Sequence, residues 1–216
     1  MINIYSRKRD GDAALSPSFH VREFACKDGS DTVLIDTALV ALLQRIRNWA
    51  GKPVRITSGY RTPSHNAKIG GAANSYHIKG RAADIVIDGK SIAAVAAFAE
   101  AIGVGGVERN EDTNYVHIDT RASRYYFRHK GGRNITVSTF GGKCPYSEPK
   151  KSLRCGSNGD GVRWLQFWLR LWGCSVSVDG GFGAKTEEAV KSVQRKRGLE
   201  TDGIAGPKTR EALKGF

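Results

Sequence analysis

Between Thr37 and Gly51 the chain reads TALVALLQRIRNWAG, with apolar side chains returning every three to four positions. That is the period of a helix with one buried face, and Gly51 ahead of Lys52-Pro53 predicts its stop. The period then shortens. PVRITSGY and RAADIVIDG are short runs with β-branched residues that end in Ser-Gly and Asp-Gly, which predicts two strands and their turns. KSIAAVAAFAEAIG reads as a second helix stopped by Gly103, and NYVHIDTR as a third strand with alternating positions. From about Arg128 to Tyr146 the glycine pairs leave room for one more strand. SEPKKS (Ser147 to Ser152) is polar and unpatterned, which predicts a linker. The expected fold class is α+β: a mixed domain over residues 1–146 with a small antiparallel sheet, then a separate unit over residues 153–216.

That second unit carries an internal repeat. Asp179 to Lys191 and Asp202 to Lys214 both read D-G-x-x-G-x-K-T-x-x-A-(V/L)-K. Each copy is a glycine-shaped turn leading into a helix, and Pro207 stands near a helix start, where a missing N–H costs nothing. Ahead of them, GVRWLQFWLRLWG is amphipathic and holds three tryptophans. A small three-helix bundle with two Asp-Gly loops follows.

Charge changes the picture more than composition does. The formal net charge of +13 points to an anionic partner. The basic residues are spread along the chain, with no basic helix, RNP-type aromatic motif or finger spacing, so nucleic acid is disfavoured. No apolar run approaches a membrane span. The N-terminal MINIYSRKRDGDAALSP lacks the apolar core of a secretory signal, so synthesis in the cytoplasm without a signal peptide is expected. Cys26, Cys144, Cys155 and Cys174 form no C-x-x-C pair, and reduced thiols are expected, with a Cys155–Cys174 pairing left open.

The candidate chemistry lies in SYHIKGRAADI. On one helix His77 and Asp84 would stand about 10 Å apart along the axis, too far to share a metal ion. With Gly80 turning the chain between them and Asp84 on the strand that leaves, both side chains reach one point. His117 in YVHIDT is the third ligand candidate. Three protein ligands leave a fourth position on zinc for water, the arrangement of a hydrolytic site.

SGYRTPSHN, SYHIKGRAADI and VHIDTR resemble, in order and spacing, the M15 family of zinc D-Ala-D-Ala carboxypeptidases and murein peptidases, from about Ser16 to Arg121. The resemblance implies Zn2+ held by His77, Asp84 and His117, and substrate binding by Arg61, whose fork matches a carboxylate, and by Ser75, which opens the second motif. His65 lies close to Arg61. The family's acidic general base, three residues before the last histidine, falls here on Asn114, which cannot take a proton. Asp119 shares a strand face with His117 and is the first choice to replace it as the catalytic carboxylate, with holding a ligand imidazole as its other role. Glu108, Glu111 and Asp112 are weaker candidates. The tail, from about Ser152 to Phe216, resembles the peptidoglycan-binding domain of many cell-wall hydrolases.

Together these imply a monomeric, zinc-dependent peptidoglycan peptidase of the carboxypeptidase or endopeptidase type, tethered to the wall by its C-terminal domain and acting there, on host lysis or outside the cell, as a phage or prophage endolysin. Anionic wall polymers are possible further partners, with no membrane partner. A wall-binding protein that keeps zinc but has lost catalysis is the alternative, and Asn114 is what keeps it open.

Overall fold

The alternation in NYVHIDTR becomes a central strand of a six-stranded sheet. In the computed structural model, which describes all 216 residues, the chain divides into two units, Met1–Gly141 and Gly142–Phe216. The first runs β1 (Ile2–Ser6), α1 (Arg7–Asp10), β2 (Ala14–Ser16), β3 (Phe19–His20), β4 (Thr32–Asp36), α2 (Thr37–Ala50) and β5 (Arg55–Ser58). It continues through α3 (Pro63–Lys68), β6 (Ala82–Val86), α4 (Ile92–Ala101), β7 (Gly106–Asn110), β8 (Tyr115–Asp119), β9 (Tyr125–Lys130) and β10 (Arg133–Thr136).

The large sheet has the order β10-β9-β7-β8-β6-β5. Its pairs are antiparallel except β7 with β9, which run parallel. The fold is α+β as expected, with this one parallel pair added to the expected antiparallel sheet. The register sets one row of residues across it: Ser58, Asp84, His117, Glu108 and Phe127 stand opposite one another on successive strands and share a face. The other face carries Ile85, Val107, Val116 and Ile118, all buried, and α4 packs against β7 and β8. Trp49 of α2 stacks on Phe98 of α4 with ring centroids 4.5 Å apart. One face is therefore filled by core, and the polar face is left for chemistry.

Local signals explain the main elements. Asp36 caps α2 by accepting from Ala38 N–H at 3.1 Å, and Gly51 ends it at φ 63°, a left-handed conformation that glycine adopts without strain. The region from Arg128 holds more strand than expected. Residues 128–130 belong to β9, and the chain turns at Gly131-Gly132 into β10. Asp112 accepts from both glycine N–H groups at 2.8 Å, tying this turn to the β7–β8 turn.

The second unit holds α5 (Asp160–Leu171), α6 (Ala184–Lys196) and α7 (Pro207–Leu213), and no helix of the chain is long and apolar enough to cross a membrane. Trp164, Trp168 and Trp172, four residues apart, are all buried, and Trp172 Nε1 donates to Leu213 O at 2.8 Å. The segment read as a linker is held to this unit: Glu148 accepts from Arg210 Nε at 3.3 Å and from Lys214 Nζ at 3.0 Å.

The repeat is deeper than its motif. Gln166 Oε1 accepts from Gly180 N–H at 2.9 Å, while its Nε2 donates to Asp179 Oδ1, Gly181 O and Thr186 Oγ1. Gln194 repeats this with Gly203 N–H at 3.0 Å, Asp202 Oδ1, Ile204 O and Thr209 Oγ1. Each loop is pinned by one buried amide from the helix before it. Gln194→Ala removes these bonds and strands buried polar groups, so a loss of roughly 2–3 kcal/mol is expected. Thermal unfolding measures it, and an unchanged melting temperature would refute the pinning.

Candidate metal centre

His77 leaves a short turn and Asp84 lies on β6, with Gly80 between them at φ 66° and packed on Leu34 backbone, where a side chain has no room. His117 lies on β8, directly opposite Asp84. One ligand atom from each of the three residues falls within 4.8 Å of the others. His117 Nδ1 is 2.8 Å from Asp84 Oδ1 and 3.1 Å from His77 Nε2, and His77 Nε2 is 3.3 Å from Asp84 Oδ1.

Each group is also held from behind. His77 Nδ1 is 2.7 Å from Gly59 O. A carbonyl oxygen only accepts, so Nδ1 carries the proton and the Nε2 lone pair faces inward. His117 Nε2 is 3.2 Å from Asp119 Oδ2, which fixes a proton on Nε2 and turns the Nδ1 lone pair inward. Asp84 Oδ2 accepts from Arg61 Nη2 at 2.6 Å, leaving Oδ1 for the cluster. With both rings neutral, two nitrogen lone pairs and a carboxylate oxygen converge with no donor among them. Such a set suits a cation, and two imidazoles with one carboxylate are a donor set that fits zinc.

The titration behaviour reports the same need. Burial disfavours a charged ring at His117, but hydrogen bonds to Asp119 and Asp84 outweigh it and raise its pKa to about 9. Burial lowers His77 below its usual value, with Asp84 opposing in part. Burial alone would raise both carboxyls. The bonds from His117 and His77 reverse this for Asp84, and those from His117 and Arg121 for Asp119, leaving both well below the usual carboxylate range. In the metal-free site a proton at His117 therefore occupies the cation's place at neutral pH. Metal binding must release it, so below about pH 9 affinity is expected to fall about tenfold per pH unit, and more steeply once His77 also takes up a proton. Competition with a chromophoric chelator between pH 6 and 9 reads this slope, and a flat profile would contradict it.

Other expected site residues fall differently. Asp119, the first choice for the catalytic carboxylate, stands on the far side of the His117 ring from the cluster. Its side chain is 0 % exposed and is clasped by Arg121, whose backbone N–H donates to Oδ1 at 3.0 Å and whose Nη2 donates to Oδ2 at 2.5 Å. Gly106 leaves room for this carboxylate, since a Cβ there would stand inside it. Arg61, expected on a substrate carboxylate, holds Asp84 and also donates to Ser58 Oγ at 2.8 Å. Ser75 Oγ, expected on substrate, accepts from His77 N–H at 3.2 Å and shapes the turn. Asn114 occupies the β7–β8 turn at φ 56°, a left-handed position that asparagine tolerates, and lines a small cavity of about 140 Å³ beside Ile85 and Val116, on the apolar face. Glu111 pairs with Arg109 and Arg128, and Asp112 caps the Gly131-Gly132 turn. Glu108 remains, opposite His117 in the β7–β8 ladder, with Asn110 Nδ2 donating to its Oε1 at 2.9 Å.

Two regions of the chain are similar to known proteins. Residues 17–119 match the peptidase M15 family, and residues 158–213 match a peptidoglycan binding domain family. Peptidoglycan L,D-endopeptidase MepK of Escherichia coli (strain K12) is 36 % identical over 99 residues, 43 % of this chain and 54 % of that protein. The zinc D-Ala-D-Ala carboxypeptidase of Streptomyces albus G is 34 % identical over 93 residues, 39 % of this chain and 36 % of that protein. The crystal structure of the SleB N-terminal domain is 37 % identical, with a TM-score of 0.30, covering 31 % of this chain and 93 % of that one. The chain spans about half the length of Escherichia coli MepK and less than half of the zinc D-Ala-D-Ala carboxypeptidase. Residues 17–119 thus match the peptidase M15 family, and a match to a peptidoglycan-binding domain follows them along the chain.

Proposed function

We propose that this chain is a zinc-dependent peptidoglycan peptidase that cuts an amide bond of a stem peptide or cross-link, held to the wall by its C-terminal unit. The observation that carries this reading is the convergence of His77 Nε2, Asp84 Oδ1 and His117 Nδ1, each fixed from behind. A bound zinc ion supplies a Lewis acid and a water of lowered pKa. His77, Asp84 and His117 hold the ion. Asp119, itself held by Arg121, keeps the His117 ring in its tautomer and plane. Arg61 sets Asp84 and presents the rest of its guanidinium toward a substrate carboxylate. Glu108 is the carboxylate of this sheet face that is neither a ligand nor sealed, and it takes up the proton from water and returns it to the leaving amine. Attachment by the second unit raises the local concentration of substrate, and the net positive charge suits an anionic wall.

The alternative of a wall binder without catalysis leaned on Asn114, and the left-handed turn gives that asparagine a conformational reason instead. The test is incubation of the chain with purified sacculi, with and without a chelator, followed by zinc re-addition. Metal-dependent release of peptide fragments is expected, and their masses separate terminal trimming from internal cleavage. Sacculi left intact at every zinc concentration would overturn the reading.

A further inference from the structure

A line of aromatic and cationic side chains borders the metal centre on the side away from Arg61. Arg121 lies between two rings, its guanidinium carbon 4.6 Å from the Tyr76 centroid and 4.7 Å from that of Tyr125. Tyr125 in turn meets Phe127, with centroids 5.3 Å apart. Lys79 places its ammonium 4.9 Å from the Tyr76 centroid. Tyr125 and Phe127 occupy the face of β9 that continues the row through His117 and Glu108. Two strand spacings, about 10 Å, separate Phe127 from His117, the reach of roughly three residues of extended peptide.

This line is not core. Tyr125 is 45 % exposed, and Lys79 is exposed and in no ion pair. The nearby carboxylate, Asp119, is spent on Arg121 and His117. The exposed Tyr125 ring at one end of the line and the unpaired Lys79 ammonium over Tyr76 at the other, with Arg121 between the two rings, suit a ligand segment with an apolar body and a negative end.

We propose that Tyr76, Lys79, Arg121, Tyr125 and Phe127 form a second substrate subsite, which takes a carboxylate-bearing arm of the peptidoglycan peptide on the side of His117 opposite Arg61. The ring of Tyr125 covers the arm's backbone, and Lys79 meets its carboxylate. The ligand's identity rests on the peptidase reading above, whereas the subsite is tested by binding alone.

The probe is a synthetic stem peptide with free carboxylates, beside the same peptide fully amidated, titrated calorimetrically into the metal-stripped 216-residue chain. Lys79→Glu is expected to weaken the free-acid peptide by about tenfold and to leave the amidated one within about twofold. Tyr125→Ala weakens both peptides, and Tyr125→Phe, which keeps the ring, restores binding. Unchanged affinity of the free-acid peptide in both Lys79→Glu and Tyr125→Ala would overturn the subsite. Because no cleavage is measured, that outcome is distinct from sacculi that stay intact with zinc.

Discussion

Asp84→Asn is expected to leave the chain folded, without bound zinc and without peptidoglycan hydrolysis. The amide keeps the shape of the carboxylate but not its charge, and it faces two histidine nitrogens whose lone pairs already point inward. Losing one of three ligands withdraws several kcal/mol of transition-state stabilisation, about a thousandfold or more in rate. Asp84→Ala goes further. It strands Arg61, whose side chain is only 15 % exposed, and breaking such a buried pair costs about 3–5 kcal/mol of stability. Metal analysis of the purified variants, thermal unfolding and fragment release from sacculi separate the two losses. Stoichiometric zinc in Asp84→Asn would remove Asp84 from the ligand set.

Asp119→Asn is expected to lower metal affinity by about 10- to 100-fold while leaving all three ligands present. An asparagine can offer His117 Nε2 an N–H instead of an acceptor, which favours the tautomer with its proton on Nδ1, pointing into the cluster. Arg121 keeps an oxygen acceptor for its Nε but loses the one for its Nη2, together with the ion pair. Hydrolysis should recover in part as zinc is raised, because the defect lies in holding the metal rather than in moving the proton. If Asp119 were the general base, excess zinc would not restore activity. Glu108→Gln provides the contrast: it should retain zinc and lose turnover.

How much was legible in the sequence depended on the range of the contact. Helix α2 and strands β6 and β8 were readable because their periodicity and stop signals are local, and the three residues that converge, His77, Asp84 and His117, stand in the compact motifs SYHIKGRAADI and VHIDTR. Strand β7 was missed, since GVERN has two charges and no alternation that stands out, and its place comes from pairing with β8 and β9. The structure gives Arg61 and Ser75 contacts that a residue string does not display, because those depend on which carboxylate or N–H lies nearest after folding. Arg121 and Gly106 were not found for the same reason. A sequence shows that Asp119 shares a face with His117, but not that Arg121 closes its other side. Gln166 and Gln194 escaped the repeat because they stand 13 and 8 residues before their Asp-Gly steps, a spacing that the aligned motif does not preserve.

The order of the sheet has a consequence for how the site comes into being. The β7–β8 turn is short, so Glu108 and His117 become neighbours through a local hairpin. Asp84 joins them only when β6, on the other side of α4 in the chain, pairs with β8, and His77 arrives with the turn before β6. Local pairs close quickly and distant ones late. Metal affinity is therefore created at a single docking event between hairpin and β6, and it registers that event. A ligand that binds only the docked arrangement favours it by mass action, so an added metal ion is expected to raise the thermal stability of the first unit.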